Sequence, residues 1–134
     1  MNTSSKKVLI VEDHPLNLKL FRDILRAKGY ETIEDRSGAD AEFLAEHHQP
    51  DLIILDVLLP FKSGHEIARA IRNKPQTSRI PMIAVTALAI SETQQQMLDA
   101  GCYCCLIKPF SMDKFLGAVQ SALLTPQNDL PQAC

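Results

Sequence analysis

The chain has 134 residues, enough for one domain that buries about two thirds of the surface its unfolded form exposes. Hydrophobic residues make up 46% and charged residues 22%, the balance of an ordinary globular protein. A net charge of −2 without any basic run gives no electrostatic footprint for nucleic acid or an anionic membrane surface.

The segment Met1 to Lys7 leads into Val8-Leu9-Ile10-Val11 and then directly into Glu12 and Asp13. That apolar run is too short for a secretory signal, and no run approaches the ~18 residues of a transmembrane helix. The protein is therefore expected to be cytoplasmic, with residues 1–6 as an N-terminal extension. Val8 to Val11, β-branched at three positions, reads as a buried strand ending in acid. Pro15 then suits the first position of a helix, which Gly29 stops. Leu18, Phe21 and Leu25, with Ile24 beside them, form its inward stripe at helical spacing. Leu16 and Leu20 lie off that stripe, either flanking the core or forming a docking patch.

Tyr30 to Ile33 alternates as a more exposed strand. Ser37-Gly38 turns into a helix over 39–48 with Phe43 and Leu44 facing inward, closed by His47 and His48 and ended by Pro50. Leu52 to Leu55 has no polar alternation, as expected of a strand covered on both faces, and it ends abruptly in Asp56, with Pro60 and Gly64 beyond. A helix over 65–73 shows Ile67, Ala68 and Ile71. Pro81 to Val85 is another apolar strand, terminating in Thr86-Ala87. Ser91-Glu92-Thr93-Gln94 has capping-box spacing and opens a polar helix that Gly101 stops. Cys104 to Ile107 is the last strand, ending in Lys108-Pro109, and Ser111 caps a helix over 112–124. Residues 125–134 have little to bury and are expected to be a disordered tail. Cys102, Cys104, Cys105 and Cys134 lack zinc spacing and are expected to be reduced thiols packed as small hydrophobes.

Strands alternating with helices predict an α/β fold: a parallel five-stranded sheet with helices on both faces, joined by right-handed crossovers. Parallel strands all end on one edge, so Glu12, Asp13, Asp56, Thr86 and Lys108 converge there. Crowded carboxylates repel, and relief comes from a raised pKa or a bound cation. An oxygen-rich site of this kind suits Mg²⁺ (or Mn²⁺). A lysine beside a metal implies an anion that both hold, and a phosphoryl group fits: Lys108, the Thr86 hydroxyl and a backbone N–H would contact its oxygens. One carboxylate must then be the nucleophile. Asp56 is favoured because it stands alone on its strand, whereas Glu12 and Asp13 form a pair suited to metal.

Val11-Glu12-Asp13, Asp56 followed by Pro60 and Gly64, Thr86-Ala87 and Lys108-Pro109-Phe110, in this order, resemble the receiver domain of two-component response regulators over roughly residues 7–124. The resemblance implies a doubly wound (βα)5 fold of the flavodoxin/CheY-like kind with strand order 2-1-3-4-5. It implies that Asp56 accepts a phosphoryl group from a phosphohistidine of a histidine kinase or histidine phosphotransfer protein. It also implies that Asp13, Asp56 and the Leu58 carbonyl hold Mg²⁺ with Glu12 acting through water, and that Lys108, Thr86 and the Ala87 N–H contact the phosphoryl group. The Lys108–Pro109 bond would be cis. A downstream protein partner would bind the face of the fourth helix, fifth strand and fifth helix, with the protein a monomer or weak homodimer.

Little chain remains after the last helix, so a single-domain regulator is expected. The wording of Leu16 to Asp23 and Gly29 to Thr32 is similar to DivK-type cell-division regulators, and also to receivers cut from hybrid histidine kinases. One departure concerns signalling. The family commonly carries an aromatic three residues before the lysine, whereas this chain has Cys105, with Tyr103 two positions earlier and expected on the same strand face; a weakened or rewired switch among Thr86, Cys105 and Tyr103 follows. Leu58 and Leu88 flank the site and should hinder an attacking water. Three rival readings compete with this one. A flavodoxin-like cofactor binder would need a phosphate loop where Glu12 and Asp13 repel phosphate. A phosphatase of the haloacid dehalogenase kind would carry its nucleophile after the first strand. A receiver-fold interaction module that works without phosphorylation would have no use for the full set of polar strand ends.

Overall fold

The computed structural model describes residues 5–124. Within them β1 (Lys7–Val11), α1 (Pro15–Ala27), β2 (Glu31–Asp35), α2 (Ala41–His48), β3 (Leu52–Asp56), α3 (Gly64–Asn73), β4 (Met82–Thr86), α4 (Ser91–Asp99), β5 (Cys104–Ile107) and α5 (Met112–Leu124) alternate along the chain. The strands form one parallel sheet in the order β2-β1-β3-β4-β5. The expected disordered tail and Cys134 lie outside the described residues.

Alternation along each strand divides the core in two. Val8, Ile10, Leu52, Ile54, Ile83, Val85, Cys104 and Leu106 face Leu18, Phe21 and Leu25 of α1 and Phe115 and Val119 of α5. Leu9, Val11, Ile53, Leu55, Met82 and Ala84 face Ala41 and Ala45 of α2, Ile67, Ala68 and Ile71 of α3, and Met97 of α4. Burying each large apolar side chain contributes about 1.5–3 kcal/mol. That burial explains why β1, β3 and β4 carry unbroken apolar runs, while the edge strand β2 does not.

Several expectations need correction. Phe43 does not face inward: it is 64% exposed and stacks on His47 at 5.5 Å. The inward positions of α2 are Ala41 and Ala45, a phase that brings the helix backbone close to the sheet. Leu16 and Leu20 do not flank the core but stand 72% and 53% exposed on α1. Ser91 is not an N-cap; Ile90 holds that position without a side-chain bond. The capping box lies instead at α3, where Ser63 Oγ accepts from Glu66 N and Glu66 reaches back to Ser63 N. Ser111 does cap α5, accepting from Lys114 N at 3.0 Å. Cys102 and Cys105 are free thiols, as expected.

Strand register fixes where the polar ends fall. Val11 pairs with Leu55, so Glu12 and Asp56 end their strands on one row. Asp56 pairs with Val85 and Thr86 with Ile107, so Thr86 and then Lys108 each lie one residue further out. The chain must then turn sharply after β3, and Gly64 makes this possible. Its N–H donates to the Val57 carbonyl at 2.8 Å, and an added Cβ would lie 2.8 Å from Val57 Cα and even closer to the Asp56 carbonyl oxygen. Both neighbours are backbone and cannot swing aside. Gly64→Ala is therefore expected to destabilise the fold by roughly 2 kcal/mol or more, read as a lowered urea midpoint; an unchanged midpoint would contradict this packing.

Candidate functional site

Glu12, Asp13 and Asp56 each place a carboxylate oxygen within 4.8 Å of the others. Glu12 and Asp56 are buried and Asp13 is exposed, so the cluster opens to solvent on one side. Glu12 is oriented by the chain that follows it, its Oε2 accepting from His14 N at 3.1 Å. Asp56 Oδ1 accepts from Leu58 N at 3.1 Å, which turns the carboxylate toward the loop over 57–63. Lys108 crosses the cluster, with Nζ 2.9 Å from Glu12 Oε1 and 3.3 Å from Asp56 Oδ2.

Thr86 is fully buried at the end of β4, and its Oγ1 accepts from Leu88 N at 3.1 Å. Ala87 is exposed beside it. Lys108 is placed by backbone and rings together. Its N–H donates to the Thr86 carbonyl at 2.7 Å, and the Lys108–Pro109 peptide is cis. Phe110 then stacks on Phe21 of α1 at 5.9 Å and on Phe115 of α5 at 5.7 Å. This ring cluster was not read from the sequence, although Phe21 sat on a predicted inward stripe.

A third buried acid was missed. Asp35, at the end of β2, accepts from Ser37 N, Ser37 Oγ, Gly38 N and Asp40 N, and stays apart from the three-carboxylate cluster. The Asp35-x-Ser37-Gly38 run was its signal, since a carboxylate just before a small-residue turn finds backbone donors there.

The proposed switch positions separate. Tyr103 precedes β5 and packs with the α1–α5 half of the core, whereas Cys105 packs with the α2–α3–α4 half. They do not share a face, because the chain bends at residue 103 before strand alternation begins. Cys105 is half-buried, and burial raises its thiol pKa. Burial pushes Cys102 up to about 12, so both thiols stay protonated near neutral pH.

Hard oxygen donors in this arrangement fit Mg²⁺, which takes one or two carboxylates and keeps several waters. Without a cation the cluster is strained electrostatically. Burial, helped by the neighbouring Glu12 carboxylate, pushes Asp56 up to about 6, against the opposing pull of Lys108 and the Leu58 N–H. A folded-state value above the unfolded one means the folded form holds the proton more tightly. That stability is complete below the unfolded value of 3.8 and is lost as pH rises through about 6. In divalent-free buffer at pH 7, Asp56→Asn is therefore expected to be more stable than the wild type, by on the order of 1–3 kcal/mol. Urea denaturation should show this gap closing at pH 4 and shrinking on addition of Mg²⁺; a less stable Asn variant would refute the strain.

Comparison with known proteins places the chain in a family. Residues 8–120 match the response regulator receiver domain family. The chain is 44% identical over 119 residues to the polar-differentiation response regulator DivK of Brucella ovis, covering 89% of this chain and 97% of that one. It is 43% identical over 118 residues to DivK of Brucella anthropi, covering 88% of this chain and 96% of that one. Among solved structures, the receiver domain of a Pseudomonas aeruginosa sensor histidine kinase superposes with a TM-score of 0.84 at 31% identity, covering 91% of this chain and all of that one; it has a magnesium ion coordinated in its active site cleft. The chemotaxis protein CheY4 of Vibrio cholerae superposes with a TM-score of 0.83 at 28% identity, covering 89% of this chain and 99% of that one. The chain belongs to the response regulator receiver domain family.

Proposed function

We propose that Asp56 is the phosphoacceptor of this response regulator. One observation carries the reading: three carboxylates converge within 4.8 Å while Lys108 Nζ stands 3.3 Å from Asp56. A carboxylate oxygen of Asp56 attacks the phosphorus of a phosphohistidine on a kinase or phosphotransfer protein. The O–P bond forms as the N–P bond breaks, and the electron pair leaves with the imidazole. Asp13, Asp56 and the Leu58 carbonyl would hold Mg²⁺, with Glu12 acting through water. When bound, the metal supplies charge that relieves the carboxylates and shields the incoming phosphoryl oxygens.

The chain's own groups do the rest. Lys108 is already beside Asp56 and neutralises a phosphoryl oxygen without reorganising. The Thr86 hydroxyl, now occupied by the Leu88 N–H, and the Ala87 N–H complete the cradle. Leu16, Leu58, Phe61 and Met112 are exposed apolar side chains on segments adjoining the cluster, which suits docking of a phosphohistidine-bearing domain.

Output runs through α4, β5 and α5 to a downstream protein. With a half-buried thiol at Cys105 in place of an aromatic ring, movement of Thr86 displaces little side-chain surface, and the strand backbone and α4 must transmit more of the change. The protein assists its own phosphorylation and dephosphorylation with Mg²⁺ and works in the cytoplasm, as a monomer or weak homodimer.

Incubation with acetyl phosphate or a phosphorylated histidine donor plus Mg²⁺ should add one phosphoryl mass to the wild type and none to Asp56→Asn. Equal labelling of both would refute the assignment, and no labelling of either would favour an interaction module that works without phosphorylation. Leu58 is 55% exposed and lies two residues beyond the acceptor, where its apolar side chain would hinder an attacking water. Leu58→Asn should shorten the phosphoryl lifetime about tenfold, a change of about 1.4 kcal/mol in the barrier; an unchanged decay rate would remove Leu58 from that role.

A further inference from the structure

We propose that Asp35 is a positioning residue for the phosphoryl site, acting through the β2–α2 turn against which the loop after Asp56 rests. The proposal depends on the Asp56 reading above. Asp35 is only 5% exposed. Its Oδ1 accepts from Ser37 N at 3.1 Å, Ser37 Oγ at 3.2 Å and Gly38 N at 3.2 Å, and its Oδ2 accepts from Asp40 N at 3.1 Å. Hydrogen bonds to an ionised acceptor are the strong kind, and here all of them close on one turn. Asp40, the N-cap residue of α2, makes no side-chain cap bond of its own, so Asp35 holds that helix start from outside.

The turn fixed in this way touches the site at three points. The Asp35 carbonyl accepts from Glu12 N at 3.1 Å, setting the backbone from which one of the clustered carboxylates projects. Gly38, at φ +85°, lies so close to Leu59 and Ile67 that an added Cβ would sit 3.0 Å from a methyl carbon of each. Leu59 is the neighbour of Leu58 in the loop over 57–63. Further along α2, Glu42 Oε2 meets Lys62 Nζ of that loop at 2.9 Å, and Glu42 Oε1 meets Lys74 at 3.3 Å. Exposed ion pairs hold weakly, so the buried Asp35 carboxylate is the firm part of the brace. A capping role alone would require only the bond to Asp40 N. The other three bonds shape the Gly38 turn that meets Leu59.

The test compares Asp35→Ala, Asp35→Asn and Ser37→Ala in the full chain with Val119→Ala, a core truncation on the far side of the sheet. Mg²⁺ affinity is followed by amide NMR shifts, and hydrogen exchange of the Glu12 and Gly64 amides is measured without metal. Asp35→Ala should weaken Mg²⁺ binding about tenfold and speed exchange at both amides. Asp35→Asn, which keeps an Oδ1 acceptor, should recover most of the loss, and Ser37→Ala should show a smaller loss even if Asp35→Ala does not fold. Val119→Ala should lower stability and leave Mg²⁺ affinity unchanged. The proposal is overturned if the Asp35 and Ser37 variants lose stability as Val119→Ala does, with unchanged Mg²⁺ affinity and exchange. If the wild type itself binds no Mg²⁺, the reading of the site falls first and the proposal with it.

Discussion

Crowding of like charge at one edge of a parallel sheet is the constraint on which the rest of this structure depends. Strand direction brings Glu12 and Asp56 to the same row, and burial denies them the water that would screen them. Lys108 answers part of that repulsion by bridging both carboxylates. A single ammonium cannot balance three carboxylates, and that deficit suits the site to a divalent cation. The geometry is held by features that are apolar or small. Phe110 stacks between α1 and α5 and pins the turn after Lys108, while Gly64 lets the chain fold back over the end of β3.

Much of this was legible in the sequence because the signals were long or repeated. An apolar run ending in acid after β1 and again after β3, a hydroxyl after β4 and a lysine after β5 give the topology and the convergence together. No single one of these residues would have sufficed; Asp56 alone reads as a turn residue. What failed to show were properties of shape. Phe43 was expected inward, yet Ala41 and Ala45 are the buried residues of α2 and the ring is left outside. Ser91 had the right spacing for a cap, but the chain enters α4 one residue earlier, at Ile90. Strand alternation was extended back to Tyr103 across a bend that sequence does not mark. Asp35 went unread because three of its four donors are backbone amides, which have no letter of their own.

The two halves of the core also differ in what they can transmit. On the α1–α5 side, large rings interlock around the lysine turn. On the other side α4 buries only Met97 among its own residues and has no side-chain cap, and Cys105 supplies a small group where a ring would fill more space. On the reading proposed above, α4 is the lightly anchored element near the end of β4, holding its own buried contact through Met97.

The bond from Lys108 to Glu12 joins residues 96 apart in the chain. Closing so long a loop is entropically unfavourable until the intervening strands have paired, and contacts of this separation characterise slow, late steps of folding. The acceptor site thus exists only once β1, β3, β4 and β5 are all in register. A partly folded or nascent chain holds Asp56 but cannot present the lysine and the acidic pair around it, so competence to receive a signal reports that these four strands have been joined.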